Sequence, residues 1–143
     1  MVILLSVTPD CLFLEFNSDI TFVDIAVEMI RNILEYLKVV DPTNLLLVSK
    51  ELLKNAVVHG NQNDREKEVV FRLFPLGQDR FRLEVEDSGP GISVKNGRTT
   101  SLKLDSTQKR GEIGGHGFTI INSLSDQVSF SETGSKITVL LDS

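Results

Sequence analysis

The stretch Glu51-Leu52-Leu53-Lys54-Asn55-Ala56-Val57-Val58-His59-Gly60-Asn61 sets an acid and an amide four residues apart inside an apolar run. On a helix, residues four apart lie one turn apart on the same face. At about 100° per residue, Leu47, Val48 and Val58 share the side of Glu51 and Asn55, while Lys50 and Lys54 fall on an arc that reads as solvated. Glu51 and Asn55 are therefore expected to point inward. An inward carboxylate is costly unless it is paired, hydrogen-bonded or in contact with a ligand or metal, and an inward amide needs partners of its own. Taken alone, the stretch leaves two readings open: a buried Glu and Asn that satisfy backbone groups, or part of a ligand site.

Working outward, Asp41-Pro42 is a helix start, with Asp41 as N-cap and Pro42 at the first helical position. The helix should run to about His59, with Gly60 in the left-handed position that ends many helices. Upstream, Val2–Val7 and Cys11–Phe16 read as short strands broken by Pro9-Asp10. Thr21 with Asp24 resembles a capping box, and Phe22, Ile25, Ala26, Met29, Ile30, Ile33 and Leu37 mark a helix to about Lys38. That helix should be core, or a dimer or partner surface.

Downstream, Glu68–Phe74 and Arg80–Asp87 read as an antiparallel hairpin around a Pro75–Asp79 turn. Alternation puts Phe81, Leu83, Val85 and then Asp87 on one face and Arg82, Glu84 and Glu86 on the other. Asp87 beside Ser88-Gly89-Pro90-Gly91-Ile92 could accept a hydrogen bond from a ligand amine, or simply cap the turn. Residues 93–113 lose periodicity and scatter Lys95, Arg98, Lys103, Lys109 and Arg110, as a lid or a solvated loop would. Gly111, Gly114, Gly115 and Gly117 lead into a helix from Phe118 to Leu124, whose free N–H groups would suit an anion. Gln127–Ser131, a Glu132–Ser135 turn and Lys136–Leu141 end the chain as a hairpin.

A length of 143 residues with 41% hydrophobic content suits one domain spanning 1–143. The formal charge of −5 argues against nucleic acid as a partner, since phosphate binding relies on many Lys and Arg. A lone Cys11 in an apolar run fits a reducing, cytoplasmic location and a buried thiol. No apolar run approaches the roughly 18 residues a membrane span needs, and the opening MVILLSVTPD lacks the basic flank of a signal peptide.

Glu51-x-x-x-Asn55, Asp87-x-Gly89-x-Gly91 and Gly115-His116-Gly117-Phe118 occur in this order around a polar lid. The combination resembles the GHKL superfamily, the ATP-binding fold of gyrase, Hsp90, histidine kinases and MutL. The NAVVHGN wording and GHGFTII followed by Ser-Asp-Gln-Val are most similar to stand-alone serine/threonine kinases of the anti-sigma-factor class. The resemblance implies an α+β, two-layer α/β sandwich of the Bergerat type, its mixed, mostly antiparallel sheet covered by helices on one face. It implies ATP and Mg²⁺ as cofactors, with Asn55 on the metal and Glu51 as general base. Asp87 would hold the adenine amine. Gly89, Gly91, Ile92, Gly114, Gly115, His116, Gly117, Phe118 and Thr138 would complete the pocket. The implied partners are a STAS-type anti-anti-sigma protein as substrate, a sigma factor, and a second copy in a homodimer. This chain has Ile113 where some of these kinases carry a basic residue, with Lys109 and Arg110 a few positions earlier. The same motifs also fit a detached histidine-kinase catalytic domain, a non-catalytic ATP-dependent interaction module, or ATP hydrolysis.

Overall fold

The computed structural model describes residues 3–89 and 116–143, apart from the side chains of His116 and Gly117. Among these residues six strands form one sheet in the order β1-β2-β3-β4-β6-β5, and every described pairing is antiparallel where a mixed, mostly antiparallel sheet was expected. The strands are β1 (Ile3–Val7), β2 (Leu12–Asn17), β3 (Glu68–Gly77), β4 (Arg80–Asp87), β5 (Gln127–Phe130) and β6 (Lys136–Asp142). Helices α1 (Ile20–Tyr36), α2 (Thr43–Asn55) and α3 (His116–Leu124) cover one face. This is the α+β two-layer sandwich expected from the motifs.

Strand alternation explains why only one face is covered. Leu12, Leu14 and Phe16 of β2, Val69, Phe71 and Leu73 of β3, Phe81, Leu83 and Val85 of β4, and Val139 and Leu141 of β6 are all buried against the helices. The intervening residues, many of them charged or aromatic, line the open face, where Arg82 lies 4.2 Å over the Phe74 ring and Glu84 pairs with Arg82 and Lys136, both at 3.2 Å. Such cations keep half-exposed rings compatible with water.

The turns follow local chemistry. Pro9-Asp10 sits in a tight hairpin closed by Thr8 N–H donating to the Cys11 carbonyl at 2.9 Å. The β3–β4 turn is narrower than the expected Pro75–Asp79 segment, because Gln78 and Asp79 both adopt positive φ, 53° and 61°, as a two-residue hairpin requires. A bulge between Pro75 and Gly77 absorbs the register shift.

Two helix readings need correction. The cap of α1 is Asp19, not Thr21: its Oδ1 accepts from the Thr21 N–H at 3.0 Å and from the Thr21 hydroxyl at 2.8 Å. These bonds hold the Asp19 carboxyl below its usual range. The side of α1 that meets the core is Val23, Ala26, Val27, Ile30 and Leu34, whereas Ile25 is 43% exposed. In α2 the buried arc runs through Leu45, Leu52, Leu53 and Ala56, so Leu47 is exposed rather than inward. The N-cap of α2 is Pro42, not Asp41, because the helix begins at Thr43, one residue later than expected; Asp41, one position before the cap, still accepts through Oδ1 from the Thr43 N–H at 3.2 Å. Among the described residues no helix is long and apolar enough to cross a membrane.

Candidate functional site: the end of α2 against the end of β4

After Asn55, α2 widens into a π-helical turn, Ala56–Gly60, before the chain leaves the helical layer. The Asn61 N–H reaches back to the Ala56 carbonyl at 2.8 Å, five residues earlier, and the Asn63 N–H reaches Val57 at 2.8 Å. Turns of this width are uncommon and cluster at functional sites. Here the turn brings Gly60 against the end of β4.

Gly60 is not left-handed, contrary to the expectation for a helix-ending glycine, since the only positive-φ glycines among the described residues are Gly77 and Gly134. Its reason is proximity. A methyl group on Gly60 would overlap Oδ2 of Asp87 and come within 2.9 Å of Oδ1. Gly89 is equally constrained, because a side chain there would run into the Gly60 carbonyl. Two glycines and one aspartate thus interlock, and no larger residue fits at either glycine without displacing backbone or carboxylate.

Asp87 continues the buried face of β4 as expected, with its N–H donating to the Ser135 carbonyl at 2.9 Å. Its Oδ1 accepts from the Gly89 N–H at 2.9 Å, so the turn-capping role is real and leaves Oδ2 as the carboxylate's other acceptor. Burial pushes the Asp87 carboxyl above its usual range despite this bond.

Asn61, directly after the helix-ending Gly60, is the residue that sequence reasoning misses. It is fully buried. Its Nδ2 donates to the Ser18 hydroxyl and to the Glu68 carbonyl at 2.9 Å, and its Oδ1 accepts from the Ser88 N–H at 2.8 Å. One amide therefore ties the π turn to the start of α1, the start of β3 and the Asp87-Ser88 corner. The available signal was an amide placed directly after His59-Gly60. Asn61→Ala is expected to cost about 3 kcal/mol, because it strands several buried groups at roughly 1–3 kcal/mol each. Urea denaturation monitored by circular dichroism measures this loss.

Glu51 and Asn55 lie at the margin of the buried arc of α2 rather than at its centre. The Glu51 side chain keeps 13% of its surface exposed, with Oε2 3.7 Å from Lys54 Nζ. Asn55 is 9% exposed, and its Nδ2 is buried without a hydrogen-bond partner. Buried amides are rarely left in that state. Since the two ends of an amide are told apart only by their partners, the orphaned position suits either an acceptor on a ligand or a cation at the amide oxygen.

Of the remaining expected pocket residues, Phe118 is buried and stacks on Phe130, ring centroids 5.7 Å apart, as a core residue of α3. His116 and Gly117 open α3. Gly91, Ile92, Gly114, Gly115 and the segment 93–113 lie outside the described residues. Thr138 is not brought to this site. It opposes Glu84 and Ser129 in the sheet, which places it on the open face, whereas Asp87 is on the helix face.

A helix carrying Glu and Asn one turn apart ends against an aspartate-glycine corner. The description "Histidine kinase-like ATPase domain" matches residues 19–141. The chain belongs to this family. Within the histidine kinase-like ATPases, members of the GHKL superfamily, the interlocked corner and the orphaned Asn55 amide fall in an ATP-binding domain. No curated protein matches the chain at a significant level.

Proposed function

We propose that this histidine kinase-like ATPase domain is a serine/threonine protein kinase of the anti-sigma-factor type. It transfers the γ-phosphate of Mg-ATP to a Ser or Thr hydroxyl of a STAS-type anti-anti-sigma protein and regulates transcription by exchanging partners. The observation that carries the proposal is the placement of Glu51, one turn before the orphaned Asn55 and partly open to solvent. A passive nucleotide binder has use for the amide but none for that carboxylate.

Each residue then has a distinct task. Asp87 accepts from the adenine amino group through the carboxylate that Gly60 and Gly89 leave room for. The Asn55 amide oxygen is a suitable Mg²⁺ ligand, because this ion takes few protein oxygens and fills its shell with phosphates and water. When bound, the ion supplies charge neutralisation at the phosphates. Glu51 accepts the proton of the attacking hydroxyl as its oxygen bonds to the γ-phosphorus and ADP leaves.

The test mixes the protein with Mg-ATP labelled at the γ-phosphate and STAS-domain proteins encoded near it, and maps the modified side chain. Phosphoserine or phosphothreonine is expected. Phosphohistidine would instead indicate a detached histidine-kinase domain, and tight ATP binding without transfer would indicate an interaction module.

The upward shift at Asp87 gives a pH prediction. A raised carboxyl takes up its proton at higher pH than an ordinary aspartate, so nucleotide affinity should begin to fall earlier as the solution is acidified. The nucleotide-free protein should respond oppositely at this group, because protonation relieves a buried charge and the native state binds the extra proton. Titration with a fluorescent ATP analogue across pH should show the decline in the native protein and its absence in Asp87→Asn.

A further inference from the structure

Three hydrogen bonds fix the direction of the Asp87 carboxylate, and one of them depends on the side chain of another residue. The Asp87 N–H donates to the Ser135 carbonyl at 2.9 Å. On the other side of the same Cα, the Ser88 N–H donates to Oδ1 of Asn61 at 2.8 Å. Peptide units are planar, so these two bonds hold the planes flanking Asp87 and with them both of its backbone torsions. The Gly89 N–H, 2.9 Å from Oδ1 of Asp87, then holds the carboxylate itself. Its Oδ2 is left beside Gly60. Two of these restraints come from partner groups that every residue carries in its backbone. The Asn61 amide is the one that the sequence had to supply.

This amide has a single orientation that satisfies its neighbours. Its Nδ2 donates to the Ser18 hydroxyl and to the Glu68 carbonyl at 2.9 Å. A carbonyl can only accept and a backbone N–H can only donate, so turning the amide over would oppose oxygen to oxygen at Glu68 and donor to donor at Ser88. Ser18 and Asn61 are both fully buried, and water does not compete for these bonds. The main chain of Asn61 is held as well, its N–H reaching the Ala56 carbonyl across the π turn.

We propose that Asn61 is a positioning residue for the nucleobase: by holding the Asp87-Ser88 peptide it aims Oδ2 of Asp87 at the exocyclic amine of adenine, and so sets the preference for an amine-bearing purine. The proposal rests on the assignment of Asp87 to that amine. Being fully buried, Asn61 acts through the peptide and not by contact. Hydrogen bonds weaken steeply as their angle closes. A loosened corner therefore loses the amine first, whereas every interaction that does not involve the amine is common to purines with and without it.

The test compares ATP with purine riboside triphosphate, the same nucleotide without its exocyclic amine, by calorimetric titration of the full chain. The native protein should prefer ATP by about tenfold or more, as expected for a hydrogen bond to a charged acceptor. Asp87→Asn should abolish the preference, because an amide whose oxygen takes the Gly89 N–H turns its NH2 group toward the base. Asn61→Ala should reduce it to about threefold or less, and adding Asn61→Ala to Asp87→Asn should change it no further. Ser18→Ala removes another partner of the same amide but leaves Ser88 bonded, so it should lower the melting temperature and keep the native preference. Asn61→Ser, which leaves room for a water among the vacated groups, gives the same reading if Asn61→Ala does not fold. A preference that falls in Asp87→Asn but stays at the native level in folded Asn61→Ala or Asn61→Ser overturns the proposal. An equal fall in Ser18→Ala also overturns it, since general loosening would then suffice. A native protein without the preference, or one that keeps it in Asp87→Asn, overturns the adenine assignment and the proposal with it.

Discussion

Glu51→Gln is expected to leave ATP binding intact and to lower phosphoryl transfer by about 100- to 10,000-fold, the usual contribution of a positioned general base. Glutamine keeps the shape and the polarity but cannot take a proton at neutral pH. The side chain is partly exposed and Lys54, its charged partner among the described residues, is itself half-exposed, so little stability should change. Paired measurements of nucleotide affinity and initial transfer rate separate the two effects. Transfer at the native rate would remove Glu51 from the chemistry, and loss of binding would make it a nucleotide contact instead.

Gly60→Ala is expected to have the largest effect on binding. The added methyl group collides with the Asp87 carboxylate, and the carboxylate cannot retreat freely because Gly89 N–H holds its other oxygen. Relief must come from shifting the π turn, which Asn61 anchors on three sides, at a cost of about 1–3 kcal/mol typical of overpacking. Nucleotide affinity should fall by at least about tenfold, the equivalent of 1.4 kcal/mol. Because the clash involves one named side chain, the stability loss should be strongly non-additive: Asp87→Gly should rescue the folding defect of Gly60→Ala without restoring binding. Thermal melts and ATP titrations of the two single variants and the double variant measure this coupling.

How much of this could be read in advance depended on the range of the interactions. The alternation of Phe81, Leu83 and Val85 is local, and it placed Asp87 on the helix face correctly. The β3–β4 hairpin and the last two strands were legible for the same reason. Asn61 was not, because its partners Ser18 and Ser88 lie 43 and 27 residues away and leave no periodic trace. Gly60 was recognised as special but for the wrong cause, since a close approach from β4 is invisible in the helix it terminates. On α1 the spacing rule found a true apolar stripe, yet one that includes the flank, because adjacent arcs have the same period and only the sheet decides which is buried. Thr138 came from resemblance alone, and the parity of β6 places it on the other face.

The π turn at Ala56–Gly60 behaves like a frameshift held within a helix. A wide turn of this kind takes up about one residue more than a regular α-helical turn, so the extra length must be spent where it occurs. The register on either side is thereby insulated from the extra residue. If one of Val57 or Val58 were deleted, the turn could close into an ordinary spiral, because four residues at about 100° each sweep nearly the same angle as five in the wider turn, and Gly60 and Asn61 would keep their direction. A deletion in the regular part of α2, between Thr43 and Asn55, has no such reserve: it would rotate all that follows by about 100° and turn the glycine from the carboxylate. The π turn is thus the one stretch of this helix in which a change of length can be absorbed without cost to the site.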